Sequence, residues 1–251
     1  MSKTPYIIAH RGLSASYPEN TLISFQKAID LGVDWLELDV VTTADGEVII
    51  SHDTTADRCT NGTGAFKSMT LEQVKMLDAG VRFDAQFVGE PIPTLHQLLD
   101  MVEKTPIALS VEIKGDTLEE FQSTARATVT LLQQRNFLRR ASIASFDLEC
   151  LRAVRGWEPR LTTNLDPTPQ NGSLTPWELC QQCLQAGANF MGYNYERLTQ
   201  DIIDEARLHG LTFWAWTIND EESVRRIAAM DVDAILSDDA AMLKRVLAEL
   251  N

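Results

Sequence analysis

Short apolar runs rich in Ile, Val and Phe recur along the chain, and each is followed by a stretch whose apolar positions repeat at helical spacing. The runs read as eight strands: YIIAH (6–10), WLELDV (35–40), IALSVEI (107–113), ASIASF (141–146), RLTTNL (160–165), FMGYNY (190–195), TFWAWT (212–217) and AILS (234–237). Helix starts are legible between them. Thr94 pairs with Gln97, and Thr175 is followed by Pro176 at the first helical position and by Glu178 reaching back. Strand then helix, eight times over 251 residues, predicts one (β/α)₈ or TIM barrel. A doubly wound open sheet is the alternative, but it normally shows a glycine fingerprint after its first strand, and HRGLSASYPEN is not one.

One interval breaks the rhythm. From Asp53 to Pro93 about 40 residues pass before the next barrel helix, far more than a βα loop needs. The interval carries its own helical signal, TLEQVKML, with Thr70 as the cap and Gly80 just past the end, so it predicts a small subdomain at about 53–93, inserted after strand 2.

Composition narrows the setting. No run approaches the roughly 18 apolar residues of a membrane span. The start, MSKTPY, lacks the pattern of a secretory signal, so a cytoplasmic location is expected. Cys59 and Cys150 are isolated, and Cys180 and Cys183 have no second pair to complete a zinc site, so all four read as reduced and structural. A net charge of −14 argues against a nucleic-acid partner and, with no basic tract, against stable membrane association. A small anionic substrate stays open if the site reverses the charge locally.

Barrel enzymes react at the carboxyl ends of their strands, so polar residues there come first. His10 and Arg11 end the first strand. On the second, Glu37 and Asp39 flank Leu38 and therefore share a face; on the third, Glu112 and Lys114 flank Ile113 in the same way. An extra extended piece, EVIISHD, carries His52 to its tip. Singly, each of these residues fits a salt bridge or a surface position. Together, three carboxylates in one barrel mouth repel by roughly a few kcal/mol per pair at an effective dielectric of about 20. A cation relieves that repulsion, and an all-oxygen set favours Mg²⁺ or Ca²⁺, with Mn²⁺ also possible. Glu37, Asp39 and Glu112 against Arg11 and Lys114 leave a charge of −1, which a divalent ion turns to +1. Such a site accepts phosphate, gripped by Arg11 and Lys114, while His10 and His52 divide proton removal from proton donation. The kit suits phosphodiester cleavage.

The ordered motifs AHRG, PENT (18–21), ELDV (37–40), DGEVIISHD (45–53), TNGTG (60–64), VEIK (111–114) and WTIN (216–219) resemble the glycerophosphodiester phosphodiesterases, most of all their cytoplasmic bacterial members, over nearly the whole chain. The resemblance implies a phospholipase C-like phosphodiesterase barrel that hydrolyses glycerophosphocholine or glycerophosphoethanolamine to sn-glycerol 3-phosphate and an alcohol. It implies Glu37, Asp39 and Glu112 as metal ligands, His10 and His52 as the acid–base pair, and Arg11 and Lys114 as phosphate contacts. It further implies that the insertion covers the glycerol end, and that a glycerol hydroxyl attacks first to give a cyclic phosphate.

Trp216 is a candidate apolar wall against glycerol or a core residue; Glu19 and Asn20 are candidate supports, Asn20 equally a helix start. LSDDAAM departs from the family's usual threonine, aspartate and following proline, which leaves Asp238 without an assigned role. His96 and His209 read as structural, and GTGAFKS (62–68) lacks the features of a nucleotide loop. A lipid phosphodiesterase, such as a lysophospholipase D, would expose an apolar rim or a basic face, and a non-catalytic phosphodiester-binding barrel would lack a histidine or a ligand carboxylate.

Overall fold

The computed structural model describes residues 4–168 and 174–250. Nine strands form one sheet: β1 (Tyr6–His10), β2 (Trp35–Thr42), β3 (Val48–Ile50), β4 (Ala108–Ile113), β5 (Ala141–Ser145), β6 (Thr162–Leu165), β7 (Phe190–Asn194), β8 (Thr212–Trp216) and β9 (Ala234–Ser237). Eight of them run parallel and close into a barrel, because β1 pairs with both β2 and β9. The ninth, β3, folds back antiparallel on the end of β2, with Val40 opposite Ile50. Thus the EVIISHD piece extends the barrel rim and delivers His52. Parallel strands covered on both faces read as continuous apolar runs, which is why the sequence shows them so plainly.

The outer helices are α1 (Leu22–Leu31), α3 (Leu95–Val102), α4 (Leu118–Gln134), α5 (Leu148–Trp157), α6 (Pro176–Ala186), α7 (Gln200–Leu208), α8 (Glu221–Ala228) and α9 (Ala240–Glu249), with α2 (Leu71–Val74) in the insertion. Thr94 with Gln97 and Thr175 with Glu178 make reciprocal capping boxes. The main core lies between sheet and helices. A second cluster fills the barrel itself: Ile8, Trp214, Ala234 and Leu236, with Trp35, Phe190 and Trp216 against it. Phe190 stacks on Trp214 at 4.7 Å, and Trp35 meets Trp214 edge-on at 5.2 Å. These rings plug the barrel, so its mouth is a blind cavity.

A third cluster, Val41, Ile49, Ala56, Phe66, Val74 and Ile92, lies under the insertion and is separate from the main core. Here the structure corrects one expectation. The helix predicted over TLEQVKML spans only Leu71–Val74, with the capping box of Thr70 and Gln73, and Gly80 is not its cap. Gly80 instead makes room for backbone: a Cβ there would lie 1.9 Å from the Phe87 carbonyl oxygen. Among the described residues no helix is long and apolar enough to cross a membrane.

Candidate active site

Strand register decides which polar residues become neighbours. His10 lies opposite Glu37 across β1 and β2, and Asp39 lies opposite Glu112 across β2 and β4. One oxygen each from Glu37, Asp39 and Glu112 comes within 4.8 Å of the others, with Glu37 and Asp39 fully in the interior. Burial first, then the Asp39 charge, pushes Glu37 well above the usual carboxylate range. Burial likewise raises Glu112, where the Asp39 charge adds to it and Lys114 opposes it. At Asp39 burial acts in the same direction, but the charges of Lys114 and Arg11 outweigh it and hold the acid low. Lys114 Nζ is 3.1 Å from Asp39 Oδ1 and also bonds Glu112, while Arg11 Nε is 3.2 Å from Asp39 Oδ2.

The acidic set fits a divalent ion. Among the described residues Glu37 Oε1 is buried with no hydrogen-bond partner, and Asp39 Oδ1 meets only the Lys114 ammonium. An orphaned buried carboxylate oxygen is costly unless something positive binds it.

Arg11 reaches this position through an unusual backbone. Its φ is +56° and that of Gly12 is +84°. A left-handed non-glycine residue costs roughly 1–2 kcal/mol. Hydrogen bonds on both sides offset it: Arg11 N donates to the Glu37 carbonyl at 3.0 Å and to Glu37 Oε2 at 3.1 Å, and its carbonyl accepts from Asn20 N at 3.1 Å. Gly12 is required at its place, since a Cβ would lie 2.3 Å from Ser24 Oγ and 2.7 Å from the Ser24 carbonyl carbon.

Both histidines line the mouth cavity, of about 240 Å³, together with Arg11, Glu112, Lys114 and Trp216. Each imidazole is held by an aspartate. His10 Nδ1 is 2.6 Å from Asp238 Oδ1, and His52 Nδ1 is 2.7 Å from Asp53 Oδ1. Burial by itself would lower the His10 pKa, but the Glu37 charge and the Asp238 hydrogen bond outweigh it and the pKa rises. Asp238 also accepts from Ser14 Oγ at 3.0 Å and from Asn219 Nδ2 at 2.6 Å; against its burial, these bonds and His10 hold it at about 2. The departure from the family's ending therefore leaves the aspartate itself in place beside His10.

The sequence left two further connections unread. Arg58, in the insertion, donates Nε to Asp53 Oδ2 at 2.6 Å and both terminal nitrogens to Glu19 at 2.8 Å. Glu19 in turn accepts from Arg11 Nη1 at 3.0 Å, so Arg11, Glu19, Arg58, Asp53 and His52 form one chain of contacts. On β6, Asn164 and the adjoining Asp166 also face the cavity, and Asp166 Oδ1 accepts from Trp216 Nε1 at 2.7 Å. Trp216 is thus both a cavity wall and a packed residue. Asn20 binds Asp39 Oδ2 at 2.9 Å, and Thr21, not Asn20, caps α1. His96 and His209 lie outside the site, beside Asp100 and Glu205 respectively. Cys59 is half-buried, and Cys150, Cys180 and Cys183 are buried free thiols.

Residues 10–242 match the model of the glycerophosphoryl diester phosphodiesterase family. A glycerophosphodiester phosphodiesterase of Caldanaerobacter subterraneus is 34% identical over 237 residues, covering 94% of this chain and 95% of that one. One from Bacillus subtilis is 31% identical over 246 residues, covering 92% and 82%. Among solved structures, an Oleispira antarctica phosphodiesterase in complex with the product sn-glycerol-3-phosphate superposes with a TM-score of 0.88 at 26% identity, covering 98% of this chain and 97% of that one.

Proposed function

Because this chain belongs to the glycerophosphoryl diester phosphodiesterase family, we propose that its hydrolysis of glycerophosphodiesters to sn-glycerol 3-phosphate and an alcohol is carried by His10 and His52, on a phosphate cradle of Arg11 and Lys114. The observation that carries this reading is the convergence of Glu37, Asp39 and Glu112, with unpaired oxygens on Glu37 and Asp39, beside a cavity lined by two aspartate-held imidazoles.

Glu37, Asp39 and Glu112 would hold a divalent ion, Mg²⁺ or Ca²⁺ by their all-oxygen chemistry. When bound, that ion supplies charge neutralisation and polarises a phosphate oxygen. Arg11 and Lys114 bind the remaining anionic oxygens, the guanidinium held in place by Glu19 and the ammonium by Glu112. His10, whose Nδ1 is tied to Asp238, presents Nε2 to take the proton of the attacking oxygen. As the bond from phosphorus to the leaving oxygen breaks, His52 Nε2 gives that oxygen a proton, with Asp53 holding Nδ1. Asp238 fixes the tautomer of His10, and both carboxylates fix the ring orientation.

The test is release of glycerol 3-phosphate from glycerophosphocholine and glycerophosphoethanolamine after chelation and re-addition of Mg²⁺, Ca²⁺ or Mn²⁺ singly, with melting temperature followed in parallel. Activity and melting should both fall in chelator and return with the ion; unchanged activity in excess chelator refutes the metal role.

One observation favours a second substrate class. The insertion exposes Met76, Val81, Phe83 and Val88, and Phe83 lines a second cavity of about 180 Å³ with Ser14, Glu19 and Arg58. Such a rim suits the acyl chain of a lysophospholipid. Choline release from lysophosphatidylcholine at a rate within tenfold of that from glycerophosphocholine would establish it, and no release would exclude it.

A further inference from the structure

The mouth cavity is chemically two-sided. On β1, β2 and β4 it presents charge: Arg11, Glu37, Glu112 and Lys114, with the two histidines. On β6 it presents Asn164 and, just past the strand end, Asp166, with Ser110 of β4 also on the lining. Asn164 is 4% exposed and Asp166 5%, and Asn164 Oδ1 is buried with no hydrogen-bond partner among the described residues. Leaving such a group unmade costs about 1–3 kcal/mol, so an orphan that faces a cavity points to a ligand.

The pair is held in place. Trp216 Nε1 donates to Asp166 Oδ1, and β7 offers bare backbone to both side chains: a Cβ on Gly192 would lie 1.8 Å from Asp166 Oδ1 and 3.1 Å from Asn164 Nδ2. Burial, and after it the Glu112 charge, pushes Asp166 up from the usual carboxylate range. This side of the cavity offers a phosphate no cation, and its orphaned amide oxygen calls for a hydrogen-bond donor. It does match an alcohol.

We propose that Asn164 and Asp166, with Ser110, form a hydrogen-bonding subsite for the terminal hydroxyl of the glycerol moiety, and so determine selectivity for glycerophosphodiesters. The inference rests on the active-site reading above. On this placement the glycerol hydroxyl next to the ester stays at the phosphate cradle and the terminal one, a carbon further out, would reach Asn164; a lysophospholipid acylated on that oxygen would not fit, so the two substrate readings exclude each other. A site built to bond a hydroxyl rejects the analogue that lacks it, because its own buried polar groups are then left unpaired.

Two phosphodiesters with the same leaving group isolate that hydroxyl: glyceryl 4-nitrophenyl phosphate and 2-hydroxypropyl 4-nitrophenyl phosphate. The wild-type enzyme should prefer the glyceryl ester in kcat/KM by about tenfold or more. In N164A, and in the volume-matched N164L, the ratio should fall to roughly two- or threefold, with the 2-hydroxypropyl ester little changed. D166N, which keeps the shape and still accepts from Trp216, should keep the ratio within about twofold. A wild-type ratio near one overturns the proposal whatever the variants do. So does a parallel fall on both esters in the Asn164 variants, or loss of the ratio in D166N. Failure of the wild-type enzyme to turn over either ester, even with metal, would count instead against the active-site reading.

Discussion

Replacing Arg58 by methionine should uncouple the insertion from His52. The substitution keeps the aliphatic packing and removes a guanidinium that bonds Asp53 at 2.6 Å and Glu19 twice at 2.8 Å. Buried, each charge-assisted bond would contribute about 1.5–3 kcal/mol. The Arg58 side chain is 47% exposed, so solvent screening brings each ion pair down to roughly 0.2–1 kcal/mol. With two carboxylate partners the loss is about 0.4–2 kcal/mol, a fall in melting temperature of roughly 1–8 °C for a chain of this length. The catalytic effect should exceed the stability effect. Asp53 loses the partner that fixes it against His52 Nδ1, and kcat on glycerophosphocholine should drop by roughly 10-fold or more. A 4-nitrophenyl diester, whose leaving group needs no proton, should lose much less, because His52 acts as the acid. Stopped assays for glycerol 3-phosphate and absorbance for nitrophenolate give the two rates. Equal losses on both substrates, or no loss on either, would refute the coupling.

Two further outcomes follow from the same geometry. D238N removes the charge that helps to raise His10, so the His10 pKa falls; with His10 as base, the acidic limb of the kcat/KM profile should move to lower pH, and kcat should drop roughly tenfold or more as the ring loses its anchor. A shift of the basic limb instead would make His10 the acid. G12A forces an L residue to φ +84° against Ser24 and should cost roughly 2–4 kcal/mol in urea unfolding while lowering kcat/KM through Arg11; a loss under about 1 kcal/mol would show that the turn relaxes easily.

The sequence alone determined the barrel, because its strands are covered on both faces and so declare themselves as apolar runs between capped helices. Alternation along a strand was enough to put Glu37 with Asp39 and Glu112 with Lys114 on common faces, since a period of two needs no knowledge of the partner strand. Tertiary structure decided what no local pattern encodes. Asp238 meets His10 only because β9 closes the barrel against β1, 228 positions away in the chain. Arg58 reaches Asp53 and Glu19 only because the insertion folds over the rim on its own small core. Asn164 and Asp166 carry no local signal; the orphaned oxygen of Asn164 and the Trp216 bond of Asp166 exist only because β6, β7 and β8 bring these side chains together inside the barrel. Spacing along the chain reports the face on which a residue sits, whereas register and closure fix what stands across from it.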